Sequence, residues 1–382
     1  MEIFLEENNL LNENQLGSRH GYSTTESAFI LYVLNFLIKN KGGRLFCAFI
    51  DLKGAFPSIR RQLLWNKIIE IGINGPFLNC IQALYSDIKA SVRLNKSLSP
   101  TFNCEAGLRE GEHLSPLLFS IFINDLDIFL EQNGSNGLSL KFDNNVEVLK
   151  LFTLLYADDT TILAYSSIEL QNNLNIYNKY CKENSLNINE DKTKIMIFGK
   201  KEKNLTFVLN GQYIEIVSKF KFLVIIFSSN GSFSEHRKYC KTKATNAMYS
   251  LLRKCHTLNL PIDSQIDLFD QTVLPILIYG CELWGMERCD MLEHIRLRYF
   301  KMILKLNTKT PNYVVLGETG KFNISSIIKN RMLNFWIKIA TGKSNRISRI
   351  VYNLLLKENL FEKCKWSSTI KLHIDQLGLS YM

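Results

Sequence analysis

The sequence predicts an α+β fold: a small sheet with flanking helices in the first 200 residues, then a helical, basic second half. Three observations carry this. Short apolar runs alternate with helical periodicity up to about residue 200, and some of those runs end in acids. From about residue 232 the pattern is mostly helical. Charge shifts as well: residues 1–200 hold 19 Lys+Arg and 22 Asp+Glu, whereas residues 201–382 hold 27 and 14. The net +10 therefore resides in the second half, as for a surface lying along a polyanion; scattered solvated lysines are the plain alternative. A chain of 382 residues that is 46% hydrophobic and 21% charged is neither disordered nor fibrous, and has length for two or three domains.

Taken in order, residues 26–39 read as a largely buried helix, with Ala28, Phe29, Leu31, Leu34 and Leu37 among its apolar positions and Gly42-Gly43 ending it. Leu45 to Asp51 is a short apolar strand closed by an acid. Arg61 to Ile71 is a helix with Leu64, Ile68 and Ile71 on one face. Ser115-Pro116 opens the next helix, with serine as N-cap and proline at the first helical position. The Asn- and Gly-rich stretch 131–147 is a loop with a small hairpin. Residues 151–164 are apolar on both sides of Ala157-Asp158-Asp159, as in two buried strands joined by an acidic turn. Ser166 and Glu169 have capping-box spacing ahead of a helix carrying Leu170, Leu174, Tyr177 and Cys181. Ile195 to Phe198 is a further strand, and a boundary falls near 200–230.

Nine cysteines is an odd count with no C-x-x-C pair, and Cys47, Cys80 and Cys281 read as small core residues in a reducing compartment. The acidic N-terminus is unlike a secretory or mitochondrial leader, and no apolar run approaches a membrane span. An intracellular protein, nuclear and cytoplasmic, is expected, with no clear targeting signal and no membrane partner.

Asp51 ends one apolar strand and Asp158-Asp159 occupies a turn between two others. Two carboxylates ~4 Å apart repel by about 4 kcal/mol at an effective dielectric near 20, so strands delivering them to one place need a cation. Magnesium accepts carboxylate oxygens together with substrate phosphates, and a pair of such ions clamps both oxygens of an in-line displacement. The pattern is consistent with nucleotidyl transfer.

Here the residues carry a resemblance. Ala48-Phe-Ile-Asp-Leu-Lys-Gly-Ala-Phe56, Gly107-Leu-Arg-Glu-Gly-Glu-His-Leu-Ser-Pro116 with its continuation to Leu126, and Leu155-Tyr-Ala-Asp-Asp159 resemble motifs A, B and C of reverse transcriptases. The best match is to the non-LTR (LINE-type) retrotransposon branch. Asn187 to Phe198 is similar to motif D, Asn14 to Thr25 to a segment preceding motif A, and Val273 to Gly285 to a stretch after the thumb. Six motifs stand in family order over roughly residues 10–345. Viral RNA-copying polymerases usually place glycine before the motif C acids and an acid five residues after the motif A aspartate. Here those positions are Ala157 and Phe56, as in enzymes that make DNA.

The resemblance implies a right-hand polymerase: partial fingers at 1–45, a palm at 46–215, motif E and a helical thumb at 216–260, and a basic helical C-terminal region at 261–382. It implies RNA-directed DNA synthesis from deoxynucleoside triphosphates on a DNA primer and an RNA template. Asp51, Asp158, Asp159 and the Leu52 carbonyl would hold two Mg2+ ions. Phe56 would exclude a 2′-hydroxyl or simply be core; Arg109 and Gly111 would face the nucleotide. Ser115 and Pro116 would shape the turn beneath the template base. Lys192 or Lys194 would lie near the leaving pyrophosphate or be a solvated strand-edge lysine. Arg296-Leu-Arg-Tyr-Phe-Lys301 would track the nucleic-acid backbone, although core packing explains its aromatics equally well.

Several positions depart from the branch. Glu110 replaces a usual glutamine, with Glu112 and His113 following, and needs a partner such as Arg109. Val224 stands where glycine is normal, and would crowd a backbone that needs positive φ. Pro57 replaces a common aspartate. The first strand pair of the fingers, the endonuclease domain of a full-length element and a zinc knuckle are not found, so a fragment or decayed copy is expected. A catalytically inactive nucleic-acid-binding remnant is the alternative function. A maturase- or telomerase-like polymerase ranks lower, because the Pro275…Tyr279-Gly280…Trp284-Gly285 stretch is not expected there.

Overall fold

The computed structural model describes residues 1–141, 147–199, 204–287, 289–357 and 360–379. They form two compact units, one of residues 1–27 and 38–218, the other of residues 28–37 and 219 onward.

The first unit is built on a five-stranded sheet. Its centre is β1 (Leu45–Ile50), buried at all six positions and flanked on both sides by antiparallel strands. On one side lie β2 (Thr153–Tyr156) and β3 (Asp159–Ala164), a hairpin whose β3 pairs with β1. On the other lie β4 (Lys194–Phe198) and the short parallel β5 (Glu215–Ile216), giving the order β5-β4-β1-β3-β2. A central strand buried on both faces has no polar side to alternate with, which is why Leu45 to Ile50 is an unbroken apolar run.

Helices cover the sheet as the periodicity predicts. Ser167–Glu183 buries Leu170, Leu174, Tyr177 and Cys181, and its N-cap Ser166 accepts from the Glu169 N–H. The Glu169 carboxylate accepts from Tyr165 N–H, one residue outside the usual capping box. Arg61–Glu70 buries Leu64, Trp65 and Ile68. In Ser115–Phe122 the serine is not the cap: it is the first helical residue, with Pro116 second. Its hydroxyl is instead 3.1 Å from the Tyr85 hydroxyl and 3.5 Å from a Glu112 carboxylate oxygen, a non-local use that overrides capping. Cys47 and Cys281 are buried, but Cys80 is exposed, because Leu78, Ile81 and Tyr85 take the inward face of Gly75–Ser86. Of the expected loop at 131–147, residues 142–146 lie outside the described residues; Leu138–Lys141 and Glu147–Leu151 beside them pair as a hairpin.

The second unit is mostly helical. Phe29, from the middle of the helix Thr24–Asn40, packs edge-on against Phe335 and Trp366, with ring centroids 5.6 and 4.8 Å away. Tyr299 and Phe300 are fully buried, and the Arg296 guanidinium bonds to Glu293 and to the Phe322 carbonyl, so these residues are core. The unit's one described hairpin joins β6 (Lys219–Phe222) to β7 (Ile225–Ser228) through Leu223 and Val224, with φ of +46° and +70°. This two-residue turn needs the left-handed region at both positions, where a β-branched side chain is strained. Val224→Gly should stabilise the protein by about 1–2 kcal/mol, and an unchanged or lowered urea midpoint would refute the strain.

His236 pins this hairpin to the Tyr279-Gly280…Trp284 stretch. Its Nδ1 accepts from the Ile226 N–H at 3.3 Å, so its Nε2 donates to the Tyr279 carbonyl at 3.0 Å, where Trp284 Nε1 also donates at 2.8 Å. Burial holds the imidazole below its ordinary pKa, and protonation sets a donor against the Ile226 N–H. A lowered folded pKa means the contribution is intact above the unfolded value near 6.5 and is lost as pH falls below it. The urea midpoint should therefore drop more between pH 7.5 and 5.5 in the parent than in His236→Gln; equal drops would exclude this origin.

Candidate active site

Strand register brings the acids together. Ile50, the last residue of β1, pairs with Thr160, so Asp51 emerges beside Asp159 and the Ala157-Asp158 turn. Burial and repulsion from Asp51 raise the Asp158 carboxyl above its ordinary value. Burial, then Asp158 and Asp51, push Asp159 up to about 6 although its side chain reaches solvent. Such shifts mark carboxylates short of counter-charge.

What compensation exists comes from the segment leading into β4. Asn189 Nδ2 donates to Asp51 Oδ2 at 2.9 Å, and the exposed Lys192 ammonium is 3.8 Å from the same oxygen. Lys194 does not join them: it donates to the Asp191 carbonyl and pairs with Glu215 at 3.0 Å. Asn189 N–H donates to the Asp51 carbonyl and Lys53 N–H to the Asn187 carbonyl, around the bridge of Leu52 to Ile188. In that pattern the Leu52 carbonyl points away from this segment, toward the side on which β3 lies.

Beside the acids' strand is a cavity of about 530 Å³ lined by Phe56, Arg109, Glu110, Gly111, Ser115 and Pro116, with Ser18, Glu112 and His113 at its edge. Phe56 stacks on Phe119 at 5.0 Å. Gly111 has φ +83° and open space where a side chain would stand. Arg109 donates to the Leu84 carbonyl at 2.8 Å and lies over the Tyr85 ring; among the described residues it makes no ion pair with Glu110. Glu112 has a partner, the Tyr85 hydroxyl, at 2.9 Å.

The loop before the cavity is seated on the turn after Asp51. Gly107 N–H donates to the Ile59 carbonyl and Leu108 N–H to the Phe56 carbonyl, while Arg61 donates to the carbonyls of Tyr85, Ala106 and Gly107. Asn189, Arg61, Tyr85 and Gln15 were not picked out by sequence reasoning. Each acts across more than 20 residues of chain; Gln15 and Asn189 lie in segments that resemble the stretch before motif A and motif D, but nothing local marks the contact each makes.

Magnesium suits this donor set. All its side-chain donors are oxygens, and two of its three carboxyls are held above their ordinary values by burial and mutual repulsion. Among the described residues no group of three or more His, Cys, Asp and Glu side chains is placed so as to hold a metal ion by itself. A hard cation that shares its coordination with phosphates does not require one.

Comparison with known proteins follows the same line. Residues 2–227 match the family described as reverse transcriptase (RNA-dependent DNA polymerase). Over 322 residues the chain is 25% identical to the probable RNA-directed DNA polymerase from transposon BS of Drosophila melanogaster, covering 81% of this chain and 34% of that one. Over 306 residues it is 24% identical to the RNA-directed DNA polymerase from mobile element jockey of Drosophila funebris, covering 77% and 32%. The chain thus spans about a third of the length of these relatives, and the resemblance to polymerases of non-LTR elements holds over most of it. A solved structure, telomerase from Candida albicans with a TWJ fragment of telomeric RNA, is similar with a TM-score of 0.46 and 15% identity, covering 97% of this chain and 57% of that one. The matched residues 2–227 include every acid and the whole cavity described above, and the chain belongs to the reverse transcriptase (RNA-dependent DNA polymerase) family.

Proposed function

We propose that this chain performs RNA-directed DNA synthesis, extending a DNA primer with deoxynucleotides on an RNA template. The observation that carries the proposal is the meeting of Asp51, Asp158 and Asp159 at one end of the sheet, on the strand that leads into the Phe56 cavity. In this reading the first unit is a palm with partial fingers, and the second holds the thumb and the basic C-terminal region.

Asp51, Asp158, Asp159 and the Leu52 carbonyl would hold two Mg2+ ions, which when bound lower the pKa of the primer hydroxyl and neutralise charge on the phosphates. The chain's own residues set the geometry. Asn189 and Lys192 orient the Asp51 carboxylate. Phe56, stacked on Phe119, would exclude a 2′-hydroxyl on the incoming sugar, and Arg109 and Gly111, which line the same cavity, would face the nucleotide. Ser115 and Pro116 shape the floor on which the template base rests. Lys192 supplies a cation for the leaving pyrophosphate; Lys194, tied to Glu215, supports the strand instead. Nucleic-acid backbone contact is assigned to the helix Ser234–Thr257, which exposes Lys238, Lys241, Lys243, Arg253 and Lys254.

The test is extension of a DNA primer on an RNA template with Mg2+ and either deoxy- or ribonucleotides. Extension with deoxynucleotides alone is the expected result. Salt-sensitive binding of template–primer without any extension would leave a nucleic-acid-binding protein and end the enzyme proposal.

A further inference from the structure

The segment around Asn14-Gln15-Leu16-Gly17 has no role in the chemistry above, yet it is built onto the acidic turn. Leu155 N–H donates to the Asn14 carbonyl at 2.8 Å and Leu16 N–H to the Leu155 carbonyl at 2.9 Å, a parallel bridge along β2. The Gln15 side chain is fully buried and reaches the residue before Asp158. Its Oε1 accepts from Ala157 N–H at 3.1 Å and from Gly17 N–H at 2.9 Å, and its Nε2 faces the Ala157 carbonyl at 3.5 Å. Ala157 has φ +53°, a left-handed conformation that an alanine does not take unaided.

The approach is close. A Cβ on Gly17 would lie 2.2 Å from the Ala157 nitrogen, so only glycine lets the two backbones meet. Gln15 is itself held from behind by Arg19, whose buried guanidinium donates to the carbonyls of Asn12 and Gln15 at 2.9 and 3.1 Å and pairs with Glu6 at 2.6 Å. One residue along, Ser18 lies on the wall of the nucleotide cavity.

We propose that Gln15 is a positioning residue: its amide holds Ala157 in the left-handed conformation, and so fixes where Asp158 and Asp159 point. This rests on the reading of those acids as cation ligands. Without the amide the turn relaxes toward ordinary φ, and the two carboxylates shift relative to Asp51.

Four full-length proteins test this: the parent, Gln15→Ala, Ala157→Gly, and the double variant. Mn2+ is the probe, its binding to each protein with template–primer read by electron paramagnetic resonance, alongside kcat and KM for the deoxynucleotide. Gln15→Ala should weaken Mn2+ binding and lower kcat by about 10- to 100-fold, the range seen when a group that orients a metal ligand is removed, with little change in KM. Ala157→Gly alone is the reference against which the double variant is read. The double variant should recover most of the loss, because glycine adopts positive φ unaided. Unchanged Mn2+ affinity in Gln15→Ala overturns the proposal, and so does a double variant as weak as the single one. If Gln15→Ala does not fold, the double variant decides: folded with parental affinity it supports the proposal, unfolded it overturns it. A parent that binds Mn2+ but does not extend a primer removes the enzyme reading while the binding comparison still decides the role of Gln15. A parent that binds no Mn2+ ends both.

Discussion

Asp158→Asn should abolish primer extension, by at least about 10³-fold in kcat, while leaving template–primer affinity nearly unchanged. In the proposed function the magnitude follows from removing a carboxylate that would act only where charge develops in the reaction. Stability should move the other way. Asp158 is one of the charges that raise the Asp159 carboxyl to about 6, so replacing it with a neutral isostere relieves repulsion at neutral pH. The sign is set by the raised folded value: the cost of ionising Asp159 is absent below its unfolded value near 4 and complete above about pH 6. At pH 7.5 without divalent ions the variant should melt at or above the parent temperature. An inactive variant that also melts well below the parent would make Asp158 a structural residue, and retained extension would remove it from the site.

Gly107→Ala should strongly destabilise the wall of the cavity. Gly107 has φ +90°, and a Cβ there would stand 2.8–3.1 Å from the backbone O, Cα and C of Pro57. Both neighbouring backbone bonds, to Ile59 and Phe56, hold the two segments at this distance. Positive φ costs an L-residue about 1–2 kcal/mol and overpacking a further 1–3, so a loss of about 2–5 kcal/mol is expected. For a unit of this size that is a fall of about 5–15 °C in melting temperature. Extension should fall in the surviving folded fraction too, because the displaced loop carries Arg109 and Gly111 along the cavity wall. A melting temperature within about 2 °C of the parent would show that the loop moves aside freely.

Elements defined by local pattern were legible. The apolar run ending at Asp51 is β1 (Leu45–Ile50), the helix read at 26–39 is Thr24–Asn40, and that read at 61–71 is Arg61–Glu70. The acidic turn between two apolar strands is present as read, because a hairpin is a local structure whose strands and turn are adjacent in sequence. Val224 was suspect because the resembling branch has glycine there, and its φ of +70° is the conformation that a β-branched residue resists.

Matters joining distant segments were not legible. Ser115 has the chemistry of an N-cap, but Tyr85 and Glu112 compete for its hydroxyl and only the packed chain brings them near. Lys192 and Lys194 are equivalent candidates in sequence; β5 supplies Glu215 to one and leaves the other beside Asp51. Arg296, Tyr299 and Phe300 read equally as a nucleic-acid surface or as core in sequence, and the fold buries them.

By itself, then, the sequence determined the strands, helices and acidic turn, because periodicity and turn chemistry act over a few neighbouring residues. It also determined the family, since ordered motifs survive in the chain without reference to its shape. Tertiary structure alone decided that β3 and β4 flank β1, that Asp51 meets Asp158 and Asp159, and that Gln15 reaches Ala157. Those contacts join residues 107 to 153 positions apart, where pairing depends on the closure and packing of the whole unit rather than on any local preference.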